Sequence, residues 1–393
     1  MEKRVYLDNA GTTPMIPETM EAMNNAMHEF WGNASATNYY GREALGALEK
    51  ARHVMAKSIN AKLDSEINIT SGGTESDNTV IYQTARARQN EGKHIITTKF
   101  EHEAILRPLE DLEKNYGFNV TYLDVDENGQ IDLQQLKDAL DDETILVSIM
   151  TVNNEVGSHL PIHKIGEIVK DSNAWFHTDA VQGYGAVPID VQADHIDLLS
   201  VSAHKINGPK FIGFLYRRDG INFPSLMRGG NQEMKHRPGT ENVPAALSFA
   251  KAVEVHFANG QRAKNAEHYV ALKKQLIQGL NDSDIDYEIN GNLTDNMAPQ
   301  TINIWFKGIR SDALLVNLDL NGIVGAAGSA CTAGSLEPSH VLVAMYGEDS
   351  PRIHESLRFS LGMTNTNDDI DRLIAALKKI IPQMKKEAAI KVN

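Results

Sequence analysis

The chain has 393 residues, 41% hydrophobic and 23% charged, a balance that suits a globular enzyme and a length too great for one small core. Its formal charge of −14 argues against non-specific binding to nucleic acid or anionic lipid, which requires clustered Lys and Arg. The single cysteine, Cys331, excludes an intramolecular disulfide and a cysteine-built metal cluster, and the 14 histidines show no paired spacing, so no metal site is expected.

The opening residues MEKRVYLDNAGTTP contain no apolar signal region or small-residue cleavage site, and no apolar run approaches the roughly 18 residues of a membrane span. A cytoplasmic protein is expected. Between residues 66 and 216, short apolar runs at 67–70, 94–98, 120–123, 145–150, 175–178, 198–202 and 211–217 predict strands. Helical patterns at 131–140 and 162–170 fall between them. Such alternation predicts βαβ units around a mostly parallel sheet of seven-stranded type. In such a sheet, functional residues lie in loops beyond the carboxyl ends of the strands.

Beyond residue 256 the pattern changes. Tyr269, Leu272, Leu276 and Leu280 line one helical face, residues 301–306 predict a strand, and Thr366 with Asp369 resembles a helix-capping pair. Ile370, Leu373, Ile374 and Leu377 then form an apolar face that Pro382 is expected to interrupt or end. The expected organisation is an α/β domain over 15–255 and a smaller α+β domain made of 1–14 and 256–393.

Four segments carry candidate chemistry. INITSGGTESDN runs from a strand through a Gly-rich turn into a helix, where Gly72, Gly73 and Thr74 offer N–H groups and a hydroxyl to a phosphate; an ordinary capped turn reads the same way. WFHTDAVQ puts Asp179 after a strand, with Gln182 three residues later. A carboxylate there suits a protonated pyridine nitrogen, and a helix cap is the alternative. SVSAHKINGPK places Ser202, His204 and Lys205 at another strand end, where partial desolvation would free a lysine amine as a nucleophile. Phosphate turn, Asp and Lys in one order are more specific than any of them alone. GAAGSACTAGS embeds Cys331 among small residues, a setting better suited to a reactive thiol than to a core position.

At this point the sequence resembles the cysteine desulfurases of the iron–sulfur and thiolation pathways, class V aminotransferases with the fold of type I pyridoxal 5′-phosphate (PLP) enzymes. YLDNAGTTP, TSGGTESDN, EHEAIL, NNEVG, HTDAVQ, SAHKINGPK, HRPGTEN, GSACTAGSLEPSHVL and SLRFSLG carry the resemblance along essentially the whole chain. The resemblance implies that Lys205 holds the cofactor as a Schiff base and later moves the Cα proton. Asp179 would hold the pyridinium, His102 would stack on the ring or carry a proton, and Asn154 and Gln182 would contact the phenolic oxygen. Gly73, Thr74, Ser202 and His204 would bind the phosphate, and Thr240 would reach the phosphate of the other subunit of a homodimer. Arg358 would pair with the carboxylate of L-cysteine. Cys331 would take the sulfur as a persulfide, leaving alanine, and pass it to an iron–sulfur scaffold or a tRNA-thiolating enzyme. The length between Cys331 and Arg358 resembles the long-loop branch of the family.

Four positions depart from the usual pattern: Ala34 and Asn38 replace Pro and His, Leu160 replaces Gln, and Phe211 replaces Gly. A selenocysteine lyase, an ordinary aminotransferase, a sulfur-relay scaffold and a cysteine hydrolase are the competing readings. Of these, an aminotransferase needs no thiol, and a scaffold has no use for the Asp179–Lys205 arrangement.

Overall fold

A computed structural model describes residues 4–294, 297–328 and 338–392. Cys331 lies outside the described residues. The strands, in chain order, are β1 (Val5–Tyr6), β2 (Ile67–Thr70), β3 (His94–Thr98), β4 (Asn119–Leu123), β5 (Thr144–Ser148), β6 (Trp175–Asp179), β7 (Leu198–Ser202), β8 (Gly213–Arg217), β9 (Tyr287–Ile289), β10 (Thr301–Phe306), β11 (Ile323–Val324) and β12 (Ser356–Ser360).

Seven of them form one sheet in the order β2-β8-β7-β6-β5-β3-β4, parallel except for β8, which runs antiparallel to both neighbours. This is the expected mostly parallel α/β fold. β3, β5 and β7 are buried along their whole length, as helices on both faces of a parallel sheet require. The strand order turns back on itself between β5 and β3, so helices cover both faces and leave the carboxyl edge open for function.

The C-terminal part builds an antiparallel sheet in the order β12-β10-β9, and β1 pairs in parallel with β11. Its core collects Val5, Leu7, Leu272, Leu276, Ile302, Leu357, Phe359 and Leu373, separately from the main clusters of the large sheet. Tyr269, Leu272, Leu276 and Leu280 are all buried on the helix Gln261–Asn281, as their spacing predicts. The Thr366–Asp369 pair also forms: Thr366 N donates to Asp369 Oδ2 at 2.9 Å.

Three expectations need correction. The strand expected from 211 starts at Gly213, because Phe211 sits at φ +62° with its ring 82% exposed and cannot continue the sheet. The strand expected through 150 ends at Ser148, where Met150 N turns away to donate to Glu101 Oε1. Pro382 does not end the last helix, which runs from Asn367 to Val392. Pro382 and Lys378, whose carbonyl loses its helical donor, both lie on the exposed face of the helix, where a lost helical hydrogen bond is tolerated. Of the four departures, Asn38 caps the helix Tyr39–Ser58 and Leu160 is a core residue, while Ala34 is buried.

Candidate active site

One cavity of about 170 Å³ opens at the carboxyl edge of the large sheet. It is lined by Gly73, Thr74, His102, Asn154, Asp179, Gln182, Ser202, His204, Lys205 and Arg358, together with Ala10, Gly11 and Asp77. Ten of the positions singled out from the sequence therefore meet in one place. Thr240 does not line it and is exposed. Cys331, outside the described residues, is not part of this geometry.

The floor of the cavity is set by close packing. β2 leads into the helix Gly73–Arg88 through Gly72, whose φ of +145° favours glycine. A Cβ on Gly73 would come within 2.6 Å of the Val181 side chain, so only glycine lets the helix N-terminus approach β6 this closely. Asp179 is the last residue of β6, and its Oδ1 accepts from Val181 N at 2.8 Å. Burial pushes the Asp179 carboxyl upward, opposed by the nearby His102 and Lys205.

His102 caps the helix Glu103–Tyr116, its Nδ1 accepting from Ala104 N at 3.1 Å. That bond leaves Nε2 as the nitrogen that carries the proton in the neutral ring. Lys205 closes a short turn after β7, and its Nζ donates to the carbonyls of Ala10 at 2.5 Å and Gly11 at 2.8 Å. His204 is held to Thr12 Oγ1 at 3.0 Å, and burial first, then Lys205 and Lys210, lower it to about 4, so its imidazole is neutral near pH 7. Gln182 Nε2 donates to the Ala10 carbonyl at 2.9 Å.

Arg358 enters from the middle of β12. Its Nη1 donates to the Asn154 carbonyl at 2.8 Å and its Nη2 to Asp8 Oδ1 at 2.7 Å, while Nε has no partner among the described residues. The guanidinium is 1% exposed, so the Asp8 carboxylate matters: an unpaired buried charge would be costly.

Asp8 was missed in the sequence, although it lies inside the LDNAGTTP stretch. Also missed was a buried acidic group behind Asp179. Asp77 and Glu101 each have one carboxyl oxygen that makes no hydrogen bond among the described residues, although Asp77 Oδ1 lies 3.7 Å from His177 Nε2. Burial, then Asp179, raise Asp77 well above the usual carboxylate range, and burial pushes Glu101 up to about 8. Beside them His177 spans Ser148 Oγ at 2.9 Å and Ser200 Oγ at 3.1 Å, and burial lowers it to about 3. A His–x–Asp at the end of β6 was the only sequence signal for this network.

The residues fit pyridoxal phosphate. A carboxylate at a strand end suits the ring nitrogen, and a lysine amine suits the aldehyde. A glycine turn with adjacent hydroxyls suits the phosphate, and the partnerless Asn154 Oδ1 marks a wall group awaiting a ligand. No group of three or more His, Cys, Asp or Glu side chains among the described residues is placed to hold a metal ion. Fold and cavity thus define a PLP enzyme of fold type I.

The aminotransferase class-V family matches residues 5–373. A putative cysteine desulfurase IscS 1 of Bacillus subtilis is 47% identical over 368 residues, spanning 94% of this chain and 96% of the relative. The cysteine desulfurase IscS of Clostridium botulinum is 44% identical over 384 residues, spanning 98% and 96%. Among solved structures, a NifS-like protein superposes with a TM-score of 0.89 at 34% identity, covering 96% of this chain and 99% of that one. A NifS-like protein from Rickettsia africae gives 0.85 at 30% identity, covering 96% and 99%. The chain belongs to the aminotransferase class-V family and depends on pyridoxal phosphate.

Proposed function

We propose a division of labour among these residues in the reaction the chain catalyses. The chain is a cysteine desulfurase that takes sulfur from L-cysteine and gives it to an acceptor. When bound, the cofactor supplies an electron sink for the pair released at the substrate Cα. Lys205 would hold it through its amine, and that amine, which the Ala10 and Gly11 carbonyls position, would be the base for the Cα proton.

Asp179 would keep the ring nitrogen protonated, and His102 would contact the ring. Asn154 and Gln182 would orient the phenolic oxygen, and Gly73, Thr74, Ser202 and the neutral His204 would hold the phosphate. Arg358 receives the substrate carboxylate. The Cys331 thiolate attacks the substrate sulfur: the S–S bond forms, the C–S bond breaks, and the electron pair passes to the substrate carbon, which is protonated to alanine.

Thr240, exposed outside its own chain's cavity, serves the phosphate of a partner subunit, which makes the working enzyme a homodimer. Arg237 pairs with Glu75 at 2.9 Å and ties this segment to the helix at the phosphate turn. The acceptor is an iron–sulfur scaffold or a tRNA-thiolating enzyme, and the setting is cytoplasmic. No helix among the described residues is long and apolar enough to cross a membrane. The chain divides into 15–255 and a smaller domain of 1–14 with 256–393, a division that the separate hydrophobic clusters support except at Val341, Leu342, Met345 and Ile353, which pack into the core of the larger domain.

The observation that carries this reading is the convergence of Lys205, Asp179, His102 and Arg358 on one cavity. Cys331→Ser tests it by separating sulfur transfer from cofactor chemistry. The variant should bind cofactor and L-cysteine normally, with the cysteine-induced change in visible absorption intact, yet release almost no alanine or sulfide. Alanine production at the wild-type rate by the folded variant would overturn the persulfide route.

A further inference from the structure

The helix Gly73–Arg88 meets the large sheet in two successive steps. At its first residue, a Cβ on Gly73 would touch the side chains of Val181, just beyond β6, and Ser202, the last residue of β7. Asp77 follows four residues later, one turn and about 6 Å along the axis, and so lies on the same face of the helix. There its Oδ1 stands 3.7 Å from Nε2 of His177 on β6, and the Ser200 hydroxyl on β7 bonds its carboxyl. As the helix advances, the residues it meets step back along the strands, from Val181 to His177 and from Ser202 to Ser200.

The groups that receive Asp77 are built into the strands beneath Asp179. Ser200 pairs in register with Asp179 across β6 and β7. The His177 ring spans Ser148 Oγ on β5 at 2.9 Å and Ser200 Oγ on β7 at 3.1 Å, which ties three neighbouring strands together. Asp77, His177 and Ser200 are all buried, yet Asp77 is also one of the residues that line the cavity. An ionised carboxylate there would be costly, because His177 beside it is lowered to about 3 by burial and gives no counter-charge. An apolar side chain would fill the same space without that cost.

We propose that Asp77 is a positioning residue for the cofactor, tying the helix whose first turn faces the phosphate to the strand end that carries Asp179. This rests on the reading of Gly73, Thr74 and Asp179 as cofactor contacts. Phosphate and ring nitrogen are two separate points on one small molecule, and the protein groups that meet them belong to different elements. The bond from Asp77 to Ser200, the neighbour of Asp179, fixes the spacing between those elements. Asp77 does this as a neutral acid. Burial and then the Asp179 carboxyl hold its proton on, the Ser200 hydroxyl opposes them, and Glu101 adds to the first two. Asp179 is raised by burial but opposed by His102 and Lys205. The negative charge at this end of the cavity therefore settles on Asp179, where it faces the ring nitrogen.

Asp77→Ala removes the tie, Asp77→Asn keeps a neutral hydrogen-bonding group of the same size, and Ser200→Ala cuts the tie without touching Asp77. Each protein is loaded with pyridoxal phosphate carrying an isotope label at the ring nitrogen. The nitrogen resonance reports whether that atom holds a proton, and an equilibrium titration gives the Kd of the cofactor. Asp77→Ala and Ser200→Ala should weaken cofactor binding about tenfold, as expected for one buried hydrogen bond, and move the resonance toward that of a neutral pyridine at neutral pH. Asp77→Asn should keep the wild-type resonance and a Kd within about twofold of wild type. An unchanged Kd and resonance in either cutting variant overturns the proposal. So does a lower melting temperature with an unmoved resonance, the mark of a purely structural group. An Asp77→Asn variant that behaves like Asp77→Ala also overturns it, by making Asp77 an ionised partner. Asp179→Asn is the reference. A wild-type resonance that already matches neutral pyridine, or that Asp179→Asn leaves unmoved, would instead sink the reading of Asp179, and this proposal with it.

Discussion

The two sheets furnish the cavity in opposite ways. The large sheet delivers Asp179 and Lys205 from the ends of β6 and β7 and His102 from the loop after β3. The three-stranded sheet delivers Arg358 from the interior of β12, paired along its backbone with Asn303 on one side and Ala326 on the other. A strand end leaves backbone and side chain free to meet a ligand. A strand interior fixes the backbone first, so the arginine must reach past the turn at 153–155 and carry its own counter-charge, Asp8. The cofactor side is thus built from loops on a rigid edge, and the substrate side from packing between two sheets.

The sharpest break in that comparison is Lys205→Ala, which should leave less than about one part in a thousand of the activity and abolish the visible absorption of covalently held cofactor. Borohydride reduction of the wild type followed by peptide mapping should label Lys205; label on another lysine would displace it from the central role. On the substrate side, Arg358→Lys keeps the charge but loses the planar fork. The KM for L-cysteine should rise about 10- to 100-fold while the cofactor spectrum stays unchanged. A change in the spectrum with KM unaffected would move Arg358 to the cofactor side.

The two regions also bury titratable groups with opposite pH slopes. Beside the large sheet, burial raises Glu101 to about 8, so its folded form binds a proton that the unfolded chain releases above the ordinary carboxylate value. Its contribution to stability is complete below about pH 4.5 and is lost as the pH rises to 8. Glu101→Gln should therefore gain on the order of 2 kcal/mol over wild type between pH 5 and pH 8 in urea unfolding. Equal slopes would mean that Glu101 ionises freely in the folded state.

At the three-stranded sheet, Lys273 donates to the carbonyls of Ala298 at 3.0 Å and Thr301 at 2.8 Å, yet burial lowers it to about 8. Here the unfolded chain binds more protons, so this contribution is present above pH 10.5 and is lost as the pH falls through 8. Wild type should gain on the order of 1 kcal/mol over Lys273→Met between pH 7.5 and pH 9.5. A flat difference would show the ammonium to be fully satisfied by its two carbonyls.

Local sequence was enough to place most strands of the large sheet, because fully buried strands read as short apolar runs bounded by turn residues. It was enough for the capping pair Thr366–Asp369 as well, since both partners lie within one helical turn. It failed at Phe211, where a hydrophobic ring extends an apolar run that the backbone has already left at φ +62°. It failed at Pro382, where solvent exposure makes the lost hydrogen bond tolerable.

By itself the sequence determined the alternation that makes an α/β fold and the glycine turn before the helix Gly73–Arg88. It also determined the succession of Asp179 and Lys205 at neighbouring strand ends. Each of these follows from the chemistry of residues a few positions apart. Only the tertiary structure decided that Asp8 neutralises Arg358 across 350 residues and that the Ala10 and Gly11 carbonyls receive Lys205. It also decided that Asp77, Glu101 and His177 share a water-poor space behind Asp179. Those facts depend on which elements the packing brings together and on the loss of solvent there, and neither is written in the spacing of residues along the chain.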